Sequence, residues 1–161
     1  MVSDDPAVVV STLLGSCVAC CLWDPLAQLG GVNHMLLAQV SDSRATSNDA
    51  GVNAMELLIN DILKRGGMRN RLVAKVFGGA QMVRGLSDIG KTNSDFTFDF
   101  LSRENMECVS QSVGGQQARH LHFWPATGAA RQKFVLNTQE LVTLPPVVPI
   151  QPVEGNGLEL F

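Results

Sequence analysis

The feature that most constrains this fold is a pair of apolar segments joined by a turn near the N-terminus. The first segment runs from Cys17 to Leu22 and the second from Val32 to Leu37, with Asp24-Pro25 between them. Apolar runs bounded by glycine and proline are typical of β-strands, and Asp-Pro favours a turn. The pattern therefore predicts a hairpin in which the start of the first segment lies beside the end of the second.

Such a hairpin would bring a thiol and an imidazole together. Cys17 follows Gly15-Ser16, and His34 follows Asn33. Because the thiolate is the form that attacks carbonyl carbon, a nucleophilic cysteine needs a nearby base. A glycine before the cysteine also allows a tight turn whose backbone N–H can point at a developing oxyanion. The residues indicate a cysteine hydrolase or acyl-transfer enzyme, with a packed cysteine and a core histidine as the alternative.

Length and composition exclude several other classes of protein. The chain has 161 residues, of which 45% are hydrophobic and 17% charged, so it is long and apolar enough for one domain with a sizeable core. A formal net charge of −3 with scattered lysines and arginines argues against a nucleic-acid binder. No segment approaches the ~20 apolar residues of a membrane span. An acidic N-terminus unlike a signal peptide predicts a cytoplasmic protein with reduced cysteines.

The other cysteines offer weaker candidate sites. Cys17 and Cys20 have the spacing of a redox or zinc half-site, but alternate residues of a strand face opposite sides, so their sulfur atoms should not meet. Cys20 and Cys21 are predicted to pack in opposite layers. A redox sensor that uses these adjacent cysteines ranks last, because a disulfide between neighbours is strained.

Metal and nucleotide chemistry find little support in the sequence. His120 and His122 share one face of a predicted strand, but no acidic or sulfur partner lies near them, and packing or surface exposure is the better interpretation. The glycine pairs at 78–79 and 114–115 fit no phosphate-binding motif and are read as turns. We expect no cofactor and no metal.

The order of predicted elements indicates an α/β fold: a single domain over residues 1–137, with mixed β-sheet layers and helices packed against them. Apolar residues at three- and four-residue spacing predict a helix that starts at Asn48 or Asp49 and is ended by Gly66-Gly67. A second helix is predicted from about 89 to 105. Further strands are predicted over 8–10, 72–77, 107–113, 119–124 and around 133–136. An exposed loop is expected over 41–48, and the proline-rich residues 138–161 are predicted to form an extended or disordered tail.

Several longer motifs resemble one family. They include Leu14-Gly15-Ser16-Cys17-Val18-Ala19, Leu22-Trp23-Asp24-Pro25, Gly31-Val32-Asn33-His34-Met35-Leu36, Ala54-Met55-Glu56-Leu57-Leu58-Ile59-Asn60, Ala74-Lys75-Val76-Phe77-Gly78-Gly79-Ala80, and Ile89-Gly90 through Asn93. Their order is that expected for CheD, the chemoreceptor glutamine deamidases. The resemblance extends from about Val8 to Phe134.

The resemblance implies hydrolysis of glutamine side chains on methyl-accepting chemotaxis proteins, giving glutamate and ammonia through a thioester and without a cofactor. The nucleophile would be Cys17 and the base His34. The third catalytic residue of the family is a threonine six residues before the cysteine, which is Ser11 in this chain, with Thr12 beside it. Because neighbours in a strand face opposite sides, only one of them can reach the histidine, and we expect Ser11.

The resemblance also implies partners. The chemoreceptors are the protein substrate, and CheC is a possible second partner, for which the surface from Phe77 to Ala80 is predicted. The alternative from a different class is a non-catalytic chemotaxis adaptor that binds receptors or CheC and in which Cys17 only packs.

Overall fold

A computed structural model describes residues 1–37, 44–82 and 89–135, with side chains described from residue 49 onward in the first helix. The strands are β1 (Val2–Ser3), β2 (Val10–Leu14), β3 (Val18–Asp24), β4 (Leu29–Met35), β5 (Val73–Gly78), β6 (Glu107–Val113), β7 (Arg119–Trp124) and β8 (Ala129–Phe134). The helices are α1 (Arg44–Lys64) and α2 (Ile89–Arg103), with a short 3-10 turn at Arg69–Arg71.

The strands form two sheets. One has five strands in the order β1-β4-β3-β5-β6, and the other has three in the order β2-β7-β8. Strands β5 and β6 run parallel, whereas the other pairings of the described strands are antiparallel. The predicted α/β domain with mixed sheet layers is confirmed.

Strand β3 is buried on both faces, which explains its nearly continuous apolar sequence. Val18, Cys20 and Leu22 belong to the core beneath the helices. Ala19 and Cys21 belong to a second core between the two sheets. The molecule is therefore layered as helices, five-stranded sheet and three-stranded sheet, and the predicted separation of Cys20 from Cys21 is confirmed.

Helix α1 covers the five-stranded sheet with the predicted apolar stripe, in which Met55, Ile59 and Ile62 are fully buried. The helix ends at Lys64, shortly before Gly66 and Gly67. Gly66 has a φ of 100°, and the N–H of Gly67 donates to the carbonyl of Ile62 at 3.0 Å. The positive φ of Gly66 and this hydrogen bond form the glycine cap that commonly closes a helix.

The turn between β3 and β4 is fixed by a buried carboxylate. Asp24 Oδ1 accepts from the N–H groups of Leu26 and Ala27, at 3.0 and 3.1 Å. Its Oδ2 accepts from the N–H of Met68 and from the guanidinium of Arg71, at 2.9 and 2.7 Å. Burial alone would raise the pKa of Asp24, but Arg71 and the backbone N–H groups outweigh it and hold that pKa below its ordinary value. The hairpin predicted from Asp24-Pro25 is thereby anchored to the rest of the fold.

Some element boundaries differ from those predicted. Helix α1 begins at Arg44, within the stretch expected to be a loop, because side-chain propensities of serine, threonine and asparagine disfavour a helix only weakly. Strand β8 begins at Ala129, where it pairs with Trp124, although its residues lack an apolar run. Residues 38–43 and the predicted tail over 138–161 lie outside the described residues. Within the described part of the chain, no helix is long and apolar enough to cross a membrane.

Candidate active site

The register of β3 against β4 places Cys17 and His34 on one face of the sheet. His34 pairs directly with Ala19, and Cys17 lies two residues before Ala19. Because residues two apart in an extended strand share a face, Cys17 and His34 are diagonal neighbours, a relation that typically separates Cα atoms by about 7–8 Å. Cys17 itself precedes the first residue of β3 and is half-buried, whereas His34 is exposed. The hairpin thus brings together the two residues that the sequence singled out.

The ring of His34 is held by Thr12 rather than by Ser11. Thr12 Oγ1 lies 3.0 Å from His34 Nδ1. In the pairing of β2 with β7, Thr12 lies opposite the buried Leu121, while Ser11 is exposed opposite His122. Thr12 therefore faces the five-stranded sheet, and Ser11 faces away from it. The hydroxyl in contact with His34 is therefore that of Thr12, one position after the expected Ser11.

The sequence of β2 does not distinguish Thr12 from Ser11, because Ser11 also alternates with apolar residues, Val9 and Leu13. Thr12 alternates with Val10 and Leu14, both of which contribute to the core between the sheets. Residues two apart in a strand share a face, so Thr12 lies on the face of β2 that packs into this core and Ser11 lies on the opposite face.

A second loop holds the backbone around Cys17. The N–H of Gly79 donates to the carbonyl of Cys17, and the N–H of Ala80 donates to that of Gly15, both at 2.8 Å. Gly78 has a φ of 111°, and a Cβ on it would collide with the carbonyl oxygen of Cys17. Gly78 is required because the two loops pack backbone against backbone at this point.

The same loop was predicted to be a partner surface, and that prediction is wrong. Phe77 is 6% exposed and Ala80 is fully buried, with both glycines between them buried as well. The double glycine permits close approach, as expected, but the surface that approaches is the loop that carries Cys17.

Asn93 of α2 is a site residue that the sequence analysis missed. It is 1% exposed. Its Nδ2 donates to the carbonyl of Ser16 at 2.8 Å, and its Oδ1 accepts from the N–H of Leu37 at 3.0 Å. A polar residue in a helix predicted to pack on a sheet was the available signal, since buried amides must be hydrogen-bonded.

The thiol of Cys17 ionises less readily than an ordinary cysteine thiol. Burial raises its pKa above the ordinary value, and a hydrogen bond with the residue's own backbone N–H opposes this only in part. Burial raises the pKa of Cys20 and Cys21 much further, and these two side chains lie in different cores. All four cysteines are free. A protonated, half-buried Cys17 requires a base at the moment of attack.

An open groove begins at this site. It has a volume of about 460 Å³ and is lined by His34, Thr12 and, on α1, Leu57 and Asp61. Leu57 and Leu36 are exposed by 59% and 56%. Leu36 directly follows the β4 residue that pairs with Val18, so it lies beside Cys17. Exposed leucines around a polar centre suit a protein substrate better than a small polar one.

The two predicted strand histidines take no part in this site. His120 and His122 are exposed on β7, on the face that pairs with Lys133 and Arg131 of β8. Among the described residues, no cluster of three or more histidine, cysteine or acidic side chains could hold a metal ion.

Cys17 and His34 thus lie on one face of the sheet, and a hydroxyl contacts the imidazole. A thiol, an imidazole and a group that orients the imidazole are the side chains that cysteine hydrolases use. Comparison with known proteins defines the family. The model of the CheD family, described as CheD chemotactic sensory transduction, matches residues 35–134. The chain belongs to the CheD family.

Curated relatives match over most of both chains. A protein of Caulobacter vibrioides (strain NA1000 / CB15N) is 46% identical over 164 residues, covering 99% of this chain and 88% of its own. A protein of Acidiphilium cryptum (strain JF-5) is 49% identical over 142 residues, covering 86% of this chain and 75% of its own. Both bear the name "Probable chemoreceptor glutamine deamidase CheD". A protein of Ruegeria sp. (strain TM1040), named "Probable chemoreceptor glutamine deamidase CheD 1", is 50% identical over 140 residues, covering 87% of this chain and 75% of its own.

Proposed function

We propose that this protein hydrolyses glutamine side chains of chemoreceptors to glutamate and ammonia, with Cys17 as the nucleophile, His34 as the base and Thr12 as the residue that orients the base. The proposal rests chiefly on the register that sets Cys17 diagonal to His34. It is supported by the similarity, over nearly the whole chain, to proteins named as chemoreceptor glutamine deamidases.

The hydrogen bond to Thr12 assigns separate roles to the two ring nitrogens of His34. When Nδ1–H donates to Thr12 Oγ1, the lone pair resides on Nε2, which is then free to accept the thiol proton. This division matters because the pKa of Cys17 is raised by burial, so little thiolate exists before substrate arrives. His34 therefore acts as a general base during the attack.

The reaction then proceeds in two stages. The sulfur of Cys17 bonds to the side-chain amide carbon while His34 takes the thiol proton, and the carbonyl oxygen becomes an oxyanion. Protonated His34 gives its proton to the departing nitrogen, so the C–N bond breaks, ammonia leaves and a thioester remains. Water, deprotonated by His34, attacks the thioester carbon. The C–S bond breaks, and glutamate and the Cys17 thiol are formed.

The oxyanion needs a hydrogen-bond donor near the sulfur. The backbone N–H of Cys17 belongs to the same residue as the nucleophilic sulfur, and its peptide is held at the Ser16 carbonyl by Asn93. It is therefore close to the atom that forms the new bond. A backbone donor in this position costs no reorganisation when charge develops, which is the usual advantage of an oxyanion hole.

The groove beside His34 would receive the glutamine-bearing segment of the receptor. Leu57 in its lining is exposed and fits the apolar side of a protein segment, and His34 lines the same groove. We also propose that the reaction takes place in the cytoplasm, where the four free cysteines would remain reduced. CheC, if it binds, would compete with the receptor for this groove.

The adaptor alternative is separated by comparing Cys17→Ala with Cys108→Ala. Cys108 is also free and half-buried, so its replacement is a matched loss of a thiol away from the site. Ammonia release and the mass of a receptor cytoplasmic fragment would be followed together. We expect wild type and Cys108→Ala to convert glutamines and Cys17→Ala to be inactive but folded. Equal conversion by Cys17→Ala would overturn the mechanism, and no conversion by wild type would favour the adaptor.

A further inference from the structure

Asn93 connects the two catalytic segments through one buried side chain. Its donor holds the carbonyl of Ser16, immediately before Cys17, and its acceptor holds the N–H of Leu37, three residues after His34. These contacts join parts of the chain that are 77 and 56 residues away from Asn93 in sequence. A side chain that is 1% exposed cannot exchange such partners for bulk water.

The bond to Ser16 fixes a peptide plane that belongs to the catalytic residue. In a trans peptide, the carbonyl of one residue and the N–H of the next point in opposite directions. The described part of the chain contains no cis peptide bond. Because Asn93 draws the carbonyl of Ser16 towards α2, the N–H of Cys17 is turned away from α2.

The following peptide plane is fixed as well. The carbonyl of Cys17 accepts from the N–H of Gly79 at 2.8 Å. With both peptides held, the backbone of Cys17 has little freedom to rotate. Its N–H is then held in one direction, in the same residue as the sulfur, and this backbone group works to lower the pKa of the thiol.

We propose that Asn93 is a positioning residue: it holds the Ser16-Cys17 peptide so that the Cys17 N–H faces the reaction centre, and it keeps that peptide in register with the end of the strand that carries His34. The inference deepens the proposed function, since the same N–H would stabilise the oxyanion of amide hydrolysis.

The chemistry of the amide suits both contacts. One carboxamide donates to Ser16 from its nitrogen and accepts from Leu37 at its oxygen, so two separate atoms reach two partners. A hydroxyl has a single polar atom for both, and an apolar side chain has none. Replacement by alanine would leave the carbonyl of Ser16 without its partner. The peptide could then rotate, and the Cys17 N–H would lose its direction.

The test compares Asn93→Ala with Thr97→Val. Thr97 lies one turn further along α2, is fully buried, and donates at 2.8 Å only within its own helix, to the carbonyl of Asn93. Thr97→Val therefore removes a buried hydrogen bond, as Asn93→Ala does, but leaves the side chain of Asn93 in place. Asn93→Ser serves as a milder variant that keeps a hydroxyl if Asn93→Ala does not fold. All three changes are neutral, so none alters the pKa of Cys17 by adding a charge.

Two readouts are needed, and one of them requires no substrate. The first is the rate of alkylation of Cys17 by iodoacetamide as a function of pH, measured on the Cys17 peptide by mass spectrometry. We expect the midpoint in Asn93→Ala to rise by about half a pH unit to one pH unit, the equivalent of one lost hydrogen bond to the thiolate. The second is ammonia release from a receptor cytoplasmic fragment, in which kcat should fall about tenfold to a hundredfold while KM changes little.

Thr97→Val should keep the wild-type midpoint and kcat even where its melting temperature falls. A wild-type midpoint and kcat in Asn93→Ala or Asn93→Ser would overturn the inference, as would an equal shift in Thr97→Val. If wild type releases no ammonia while the midpoint of the Asn93 variants still rises, the positioning role stands and the proposed function fails.

Discussion

Replacing Thr12 with valine removes the hydroxyl that contacts His34 and keeps the branched shape of the side chain. The bond from Thr12 Oγ1 to His34 Nδ1 measures 3.0 Å, so a full hydrogen bond is lost. His34 is exposed, and water can partly replace the hydroxyl. We therefore take the net value of an ordinary hydrogen bond, about 0.5–1.5 kcal/mol. If this free energy is lost in the transition state, kcat/KM should fall about twofold to twelvefold.

The assay is ammonia release from a receptor cytoplasmic fragment under conditions where the rate is proportional to kcat/KM. Thr12→Ser should retain most activity because it keeps the hydroxyl. Ser11→Ala is the matched control, since it removes the neighbouring hydroxyl from the opposite face of the same strand. The assignment of Thr12 is refuted if Ser11→Ala loses activity and Thr12→Val does not.

Three further predictions concern the loop, the hairpin turn and the thiol. Gly79→Ala should destabilise the fold by more than Gly115→Ala in urea unfolding. Both glycines have a positive φ, but only at Gly79 would a Cβ meet other atoms, those of Ser94 and Gly90 on α2. Equal losses would contradict the close packing of Gly79 against α2. Asp24→Asn should cost about 3 kcal/mol at pH 7, because it leaves Arg71 unpaired. The pKa of Asp24 in the folded protein lies below its ordinary value, so its contribution to stability is complete above the ordinary pKa and is lost as pH falls through the folded pKa. The free energies of unfolding of wild type and Asp24→Asn should therefore converge in acid. A difference in free energy that stays constant to the lowest pH would contradict this. Alkylation of Cys17 should have its midpoint above that of an ordinary thiol, because burial raises its pKa; a midpoint near pH 6 would instead indicate a preformed thiolate–imidazolium pair.

The hairpin and its chemistry could be predicted because local signals agreed with one another. The apolar run of β3, the turn at Asp24-Pro25 and the returning strand specify a single antiparallel pairing, and that pairing alone sets Cys17 diagonal to His34. Likewise, the stripe of α1 predicted which of its side chains are buried. Patterns that repeat along one element are readable without knowledge of its partners.

The parts that were missed depend on contacts between distant segments. Whether Ser11 or Thr12 faces His34 follows from the register of β2 against β7, a strand more than a hundred residues away in sequence. The role of Asn93 likewise requires knowing that α2 packs against the loop at Ser16. The strand β8 carries no apolar run, and only its pairing with β7 defines it. One-dimensional periodicity contains none of these pairings.

The central claim, that Cys17 attacks the receptor glutamine, is tested most directly by quenching the reaction in acid and searching for the acyl-enzyme. A receptor fragment would be mixed with enzyme, quenched within a turnover, digested and analysed by mass spectrometry. We predict a receptor peptide joined through its former glutamine to the Cys17 peptide, at a single site and absent in Cys17→Ala. Undiminished glutamate formation by Cys17→Ala, without any such adduct in wild type, would contradict the account.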